Sequence, residues 1–186
     1  MVKKGSFGYL RRAGKISLIK SAAMLAAVLI VYFTARWYFH TNKNVFTLLA
    51  AAGALPTGRS IVMSIMLLRA VGASEQVHKV IETISGLPAD CSGYDLYLTA
   101  YERSYSISHA AVVGGIVAGL TEDKNTDCRL CEQHLREMLK KDSHNGYEVH
   151  IYNDTDQYVK ALTEMCAAEP VPEDRAVMQM IYGISI

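Results

Sequence analysis

The sequence predicts a membrane α-helical hairpin of two transmembrane helices, followed by a small α+β domain with one sheet. The chain of 186 residues is 51% hydrophobic and only 20% charged, which is unusual for a water-soluble protein. All eighteen acidic residues lie from Glu75 onward, whereas ten of the nineteen lysines and arginines precede Glu75. A basic, apolar first part and an acidic second part are typical of a membrane anchor joined to a soluble domain.

The first predicted transmembrane helix covers residues 17–39, after a basic N-terminal segment of residues 1–16. Between Lys20 and Arg36 the chain reads SAAMLAAVLIVYFTA, without a charge. Lysine and arginine can extend their charged ends towards the membrane surfaces, so this helix can cross a hydrocarbon core of roughly 30 Å. The aromatic residues 37–39 are typical of the membrane interface. A cleaved signal peptide is the alternative, but a second apolar segment follows closely, which favours an anchor.

The second predicted transmembrane helix covers residues 45–71. The external loop of residues 40–44 is so short that the two helices must be antiparallel neighbours. Between Val45 and Leu68 the only charged residue is Arg59, and this stretch would be about 36 Å long as a helix. Small residues at helical spacing predict the faces that pack together. They are Ala22/Ala26 and Ala23/Ala27 on the first helix and Ala50/Ala54/Gly58 on the second.

Pro56 and Arg59 interrupt the apolar character of this second segment. Pro56 predicts a kink in a continuous helix, and the alternative is that the helix ends there and residues 59–71 lie in the membrane interface. Arg59 would lie within about 9 Å of the inner face of the hydrocarbon core, which its side chain can largely span. Because neither helix contains an acidic residue, Arg59 is predicted to contact a lipid head group or a partner protein.

The distribution of basic residues predicts the topology. Lysines and arginines are concentrated before the first helix and after the second, so the positive-inside rule places both termini in the cytoplasm. The sequence therefore predicts a multi-pass protein of the cell membrane, N-in and C-in, with a cytoplasmic domain of residues 73–186. The four cysteines of this domain would then be reduced thiols.

The cytoplasmic domain is predicted to have the element order α-β-β-β-α-β-α, followed by an apolar tail that could form a last helix. Its first helix begins after Ser74 as N-cap, and the next stretches alternate apolar and polar residues as strands do. Gly114 and Gly115 fit a two-residue hairpin turn. The helix TDCRLCEQHLREMLKK, capped by Thr126 or Asp127, precedes the strand YEVHIY and the helix DTDQYVKALTEMCA.

Two stretches of the anchor carry a family resemblance. The basic start KKGSFGY and the second apolar segment NVFTLLAAAGALPTGRSIVMSIM resemble those of an uncharacterised family of small two-helix bacterial membrane proteins from Gram-positive anaerobes. The resemblance covers mainly residues 1–70. It implies a membrane anchor, and it implies no catalytic activity because that family has none established.

Cys128 and Cys131 form a C-x-x-C pair at the start of a predicted helix and are the first candidates for chemistry. A helix N-terminus lowers the pKa of a nearby thiol, which would make Cys128 a redox nucleophile. The alternative is that Cys131 belongs to the buried helix face and Cys128 has no chemical role. A zinc site would need two further ligands, and Cys91, His109 or His134 could supply them only through the fold.

A second candidate comes from the element order, which resembles that of the restriction-endonuclease core. Asp90 or Asp95 with Glu122 and Lys124 would give an acid followed by E-x-K, an arrangement that binds Mg²⁺ and activates water. Glu122 and Lys124, however, fall in the turn TEDKN rather than on a strand. The excess of acidic residues also makes nucleic acid an unfavourable partner.

The histidines and tyrosines of the domain are not spaced in the sequence like the residues of a known catalytic motif. No histidine has a serine or cysteine partner at a triad spacing, so the histidines are predicted to be exposed or half-buried. The strand tyrosines are predicted to pack against their neighbours rather than to stack on a ligand. The histidines are His78, His109, His134, His144 and His150, and the tyrosines are Tyr94, Tyr97, Tyr101 and Tyr105.

These observations favour a membrane-anchored interaction or regulatory domain over an enzyme. The predicted partners are the lipid bilayer and either a partner protein or a second copy bound through the transmembrane helices, and no cofactor or metal is predicted. The alternative is a membrane-tethered enzyme, either a thiol redox protein or a degenerate hydrolase. Its candidate catalytic residues would be Cys128, Cys131, Asp95, Glu122 and Lys124.

Overall fold

A computed structural model describes residues 4–39, 45–100, 103–144, 146–168 and 171–186, without the side chains of residues 39 and 47. The chain divides into two compact units. Arg11–Arg69 form the helical unit, and the residues up to Leu10 together with Ala70–Ile186 form the α+β unit. The predicted external loop, residues 40–44, lies outside the described residues.

The helical unit consists of two helices that are long and apolar enough to cross a membrane. Helix α1 is Tyr9–Phe39 and helix α2 is Val45–Arg69. Many of their large apolar side chains are exposed, such as Ile30 at 64% and Leu55 at 79%, as expected of a surface that faces lipid rather than a protein core. These helices indicate membrane association.

Two helix ends differ from the prediction, namely the start of α1 and the end of α2. Helix α1 begins at Tyr9 rather than at residue 17, because lysine and arginine are good helix formers and do not end a helix. Helix α2 ends at Arg69 rather than at residue 71. Helix α2 also continues through Pro56, so the alternative in which the helix ends at Pro56 is wrong. Next to Pro56, the Thr57 hydroxyl donates to the Gly53 carbonyl oxygen at 2.8 Å.

Serine hydroxyl groups join the two helices. The Ser17 and Ser64 hydroxyl oxygens lie 2.8 Å apart, and the Ser21 oxygen lies 2.7 Å from that of Ser60 and 2.8 Å from that of Ser64. Ser21 and Ser64 are almost completely buried. Their i,i+4 spacing in both helices, Ser17/Ser21 and Ser60/Ser64, was a sequence feature that could have indicated this contact.

The predicted packing face of small residues is wrong for most of its members. The side chains of Ala22, Ala23, Ala26 and Ala27 are exposed, and so are Ala54 and Gly58, whereas Ala50 is buried as predicted. The Ser21 and Ser64 hydroxyls donate within their own helices, to the carbonyl oxygens of Ser17 and Ser60, and also lie within hydrogen-bond distance of serines on the other helix. Alanine has no polar group to pair and can remain exposed on an apolar helix surface.

The α+β unit contains the predicted elements in the predicted order, with an additional C-terminal helix. The helices are α3 (Glu75–Glu82), α4 (Cys128–Lys141), α5 (Thr155–Cys166) and α6 (Asp174–Ile184). The strands are β1 (Ser92–Thr99), β2 (Ser104–Val113), β3 (Ile116–Leu120) and β4 (Glu148–Tyr152). Ser74 and Asp127 cap α3 and α4 through their side chains, as the sequence predicts.

The four strands form one mixed sheet in the order β1-β2-β3-β4. Strands β1, β2 and β3 are antiparallel neighbours, and β4 is parallel to β3. Helices α4 and α6 cover one face of the sheet, and α3 and α5 cover the other. The domain is therefore a three-layer structure, and its central strand β2 is buried on both faces.

Strand β1 changes face at Asp95, which has a φ of 57°. Tyr94 packs with the α3/α5 layer, whereas Leu96, two residues later, lies in the core beneath α4 and α6. A regular strand would place both side chains on the same face. The strand pattern of the sequence would place Tyr94 on the face of Leu96 and Leu98, and this is wrong for Tyr94 because the left-handed backbone at Asp95 rotates the strand.

The surface through which α2 packs against α1 can be tested by a matched pair of substitutions. Ala50→Leu should weaken helix association by about 1–3 kcal/mol, because Ala50 is buried and a larger side chain would overpack the contact. Ala54→Leu should change it by no more than about 0.5 kcal/mol, because Ala54 is exposed. SDS titration in mixed micelles measures association through the fluorescence of Trp37, which lines a cleft with Phe46 of α2. An equal or larger effect of Ala54→Leu would contradict this face.

Candidate functional site

The most developed polar site of the α+β unit surrounds the linker segment, residues 70–74. Three side chains accept backbone N–H groups from it. The Ser106 hydroxyl accepts from Val71 at 3.2 Å, Asp95 Oδ1 accepts from Ala73 at 2.7 Å, and Glu122 Oε2 accepts from Ser74 at 2.8 Å. The site therefore binds the linker segment at three of its five backbone N–H groups.

Asp95 is the central residue of this site. Its side chain is 1% exposed, and its second oxygen, Oδ2, accepts the N–H of Leu10 at 3.3 Å. A Cβ added to Gly72 would lie 2.9 Å from Asp95 Oδ1, so the linker segment approaches the carboxylate too closely for a larger residue. One carboxylate thus binds the chain in the first turn of α1 and shortly after α2.

A layer of hydroxyl groups supports this site from beneath. Thr121 donates its hydroxyl to the Ser106 carbonyl oxygen at 2.7 Å, and the Ser108 hydroxyl accepts the N–H of Glu122 at 3.3 Å. Ser106, Ser108 and Thr121 are all buried. Buried hydroxyls with defined partners restrict the positions of the side chains around them, so Glu122 is held in place on its backbone side.

The structure brings Asp95 and Glu122 together but leaves Lys124 apart. The two carboxylates bind the consecutive amides of Ala73 and Ser74, whereas Lys124 is exposed in the turn after β3. Asp90, the alternative acid, pairs with Arg175 at the surface. The oxygen atoms that a metal would need are therefore engaged in part by backbone N–H groups.

The N-terminal segment, residues 4–10, is also built into the α+β unit. Lys4 Nζ donates to the carbonyl oxygens of Tyr182 and Ser185, at 2.9 and 2.6 Å, at the end of α6. A cation at this position interacts favourably with the helix dipole. The Gly5 carbonyl oxygen accepts the N–H of Tyr94 at 2.9 Å, which extends the edge of β1. Apart from its charge, no sequence feature of Lys4 indicates this role.

The C-x-x-C pair does not have the electrostatics expected of a redox nucleophile. Cys128 begins α4, but burial, together with Glu132 and Asp127, raises the pKa of its thiol. Burial raises the pKa of Cys131, which is fully buried, to about 12. The lowering expected from the helix N-terminus is outweighed, because desolvation disfavours the thiolate.

The proposed additional zinc ligands are not gathered around this pair. Cys91 lies near Asp174 and Arg175, and His109 is buried beneath α3 and α5. Within the described ranges, no group of three or more histidine, cysteine, aspartate or glutamate side chains is arranged to hold a metal. Burial raises the pKa of the remaining thiol, Cys166, as well.

His109 is the most deeply buried titratable base, which the sequence prediction of exposed or half-buried histidines missed. Its side chain is completely buried, its Nδ1 is 2.6 Å from the Tyr158 hydroxyl, and its Nε2 has no hydrogen-bond partner among the described residues. Its ring also lies 4.5 Å from that of Tyr94. Burial, with a smaller effect of His78, lowers the pKa of His109 to about 3. This histidine is neutral at physiological pH.

A second buried carboxylate, Asp174, organises the other end of the sheet. It accepts the N–H groups of Gly114 and Gly115, at 2.8 and 3.3 Å, in the β2–β3 turn. It also accepts the N–H of Val171 at 2.8 Å and the hydroxyl of Tyr147 at 3.1 Å. This carboxylate is fully buried and connects three loops, so it has a structural role like that of Asp95.

In the helical unit, Arg59 is exposed and lies near a second cation along the helix axis. The contacts of Ser21 with Ser60 and Ser64 place Lys20 and Arg59 within about one helical turn of each other. Both side chains are exposed. The predicted contact of Arg59 with a lipid or a partner is compatible with this position and stays a prediction.

Comparisons of the chain with protein-family models, curated proteins and solved structures gave no match.

The role of Asp95 can be tested by two substitutions. Asp95→Ala should lower the free energy of unfolding by about 3 kcal/mol, because two N–H groups lose their acceptor and alanine disfavours a positive φ. Asp95→Asn should lose only about 1 kcal/mol, since asparagine tolerates this backbone and keeps one acceptor oxygen. Thermal unfolding in detergent micelles measures the loss, and hydrogen exchange should show reduced protection at Ala73.

A matched control is Asp156→Ala, which removes an exposed carboxylate from the first turn of α5. It should change the free energy of unfolding by no more than about 0.5 kcal/mol. If Asp95→Ala were no worse than this control, the carboxylate would not be holding the two chain segments.

His109 should make the fold sensitive to acid. An unfolded histidine titrates near pH 6.5, whereas the folded pKa is about 3, so the unfolded chain binds more protons between these values. Stability should therefore fall as the pH falls below about 6.5, by about 2 kcal/mol between pH 7.5 and pH 5 from this residue. His109→Asn should be less stable at pH 7.5 but should show a correspondingly smaller acid dependence in thermal unfolding. An unchanged acid dependence would contradict the assignment.

Proposed function

We propose that this chain is an integral protein of the cell membrane whose hairpin anchors a cytosolic α+β interaction or regulatory domain. The observation that carries the proposal is that the N-terminal segment and the chain after α2 belong to one compact unit. If α1 and α2 cross a membrane, both termini lie on the same side. The cluster of basic residues at that end of the helices supports the cytoplasmic side.

The sequence resemblance to small two-helix bacterial membrane proteins agrees with this anchor. The exposed small residues of the hairpin support self-association as one form of interaction. Ala54 and Gly58 lie on an exposed part of α2, and a Cβ added to Gly58 would meet nothing within 4 Å. Close approach of another helix is possible at such positions. The partner in this proposal is therefore a second copy or another protein bound through the helices or the domain, and the acidic domain disfavours nucleic acid.

The use of the polar residues also favours an interaction domain over an enzyme. Asp95 and Glu122 bind the linker segment, and the pKa of Cys128 is raised. These groups stabilise the domain where the hairpin joins it.

The topology part of the proposal can be tested with reporter fusions. A reporter that is active only in the cytoplasm should work after Ile186, and one that is active only outside should work when inserted at Asn42. The full chain should remain in the membrane fraction after a carbonate wash. Activity of the outside reporter after Ile186 would contradict the cytosolic location, and release by carbonate would contradict the anchor.

The interaction part is measured separately by light scattering of the full chain, extracted from native membranes in a mild detergent. The protein mass of the particle should exceed that of one chain. A single-chain mass over a range of mild detergents would contradict stable association while leaving the topology result intact.

A further inference from the structure

Lys20 and Arg59 lie near each other along the axis of the helical unit. From Ser21 to Arg36, α1 has an uncharged stretch of about 22 Å, and from Val45 to Arg59, α2 has one of about 21 Å. The antiparallel contacts of Ser21 with Ser60 and Ser64 place the ends of these two stretches within about one helical turn of each other. A cation therefore stands near the same end of the uncharged stretch on each helix.

The two cations also project from the same side of the helix pair. Consecutive residues in a helix are about 100° apart. In antiparallel helices, the residues that precede two contacting residues therefore project towards the same lateral face. Lys20 precedes Ser21, and Arg59 precedes Ser60. Lys15, by the same geometry, projects from the opposite lateral face of α1.

No carboxylate of the helical unit can neutralise these charges, because the sequence contains no acidic residue before Glu75. Both side chains are exposed. Stretches of about 22 Å are shorter than a hydrocarbon core of roughly 30 Å, so both cations would extend their charged ends towards the membrane surface. Phospholipid phosphates lie there, and juxtamembrane cations attract anionic lipids. Arginine can bind a phosphate through two parallel N–H donors, and lysine adds a point charge.

We propose that Lys20 and Arg59 together bind the phosphate of an anionic phospholipid at the inner leaflet. The two side chains bind the phosphate from neighbouring helices, and the serine contacts fix the register of these helices. This inference rests on the proposed membrane anchor. It adds a defined ligand class, a glycerophospholipid with net negative charge, and a defined pair of residues on one face of the hairpin.

The test uses the full chain in nonionic detergent and a short-chain fluorescent phosphatidylglycerol, with phosphatidylcholine as the uncharged probe. The parent should bind phosphatidylglycerol more tightly. Lys20→Gln and Arg59→Gln should each weaken that binding about fivefold, and the double variant should lose far less than the product of the two effects, because both residues hold one phosphate. If the two residues bound lipid independently, their effects would multiply and the double variant would bind about 25-fold more weakly. That result would overturn the shared site.

The matched control is Lys15→Gln with Arg69→Gln, which also removes one lysine from α1 and one arginine from α2. It should retain most of the phosphatidylglycerol preference, and a loss equal to that of the Lys20/Arg59 pair would show a general charge effect and overturn the proposal. The exchanged pair Lys20→Arg with Arg59→Lys should bind like the parent, and a loss there as large as in the double glutamine variant would also overturn it.

Two further measurements separate the possible failures. Inorganic phosphate at the same concentration should not displace the lipid, and efficient displacement would assign the pair to a free anion instead. Membrane fractionation of the parent tests the anchor independently. A parent that stays in the membrane without preferring phosphatidylglycerol would overturn this inference alone, whereas a parent absent from the membrane would overturn the proposed function as well.

Discussion

The α+β unit depends on the buried carboxylate of Asp95, which accepts N–H groups from both chain segments that lead into the hairpin. A buried charged acceptor is stable only when several donors surround it. Leu10 and Ala73 supply two of them. The positive φ that turns this side chain towards them also rotates β1, so that Tyr94 and Leu96 enter different cores. The same residue therefore determines both the attachment of the chain segments and the two-sided packing of the sheet.

The helical unit is held together by a different interaction. In lipid there is no hydrophobic driving force between helices, so polar contacts and close packing decide which faces meet. The hydroxyls of Ser17, Ser21, Ser60 and Ser64 supply these contacts. Their register explains why an arginine can stand inside an apparently continuous apolar segment. Arg59 lies within about one helical turn of Lys20 along the helix pair.

Most of the residues that the sequence analysis named as candidate catalytic groups stabilise the fold instead. Glu122 holds Ser74 at the start of α3, and Cys131 lies in the core beneath α4. The residue type alone does not show whether a carboxylate or a thiol contacts a substrate or a backbone amide. Their use depends on which donors the fold brings to them, and here the nearest donors to Asp95 and Glu122 belong to the linker segment.

Local patterns were sufficient to predict the two long apolar helices, the strands of the sheet, the Gly114-Gly115 turn and the caps Ser74 and Asp127. Each depends on hydropathy, periodicity or capping within a few residues along the chain. The tertiary structure alone decided that Lys4 binds the end of α6, that His109 is buried against Tyr158, and that serines rather than alanines join the helices. These contacts connect residues from 39 to 181 positions apart. Such pairings follow from the joint packing of distant segments. A local pattern such as the i,i+4 spacing of the serines marks a face, but it does not name the residues that the face will contact.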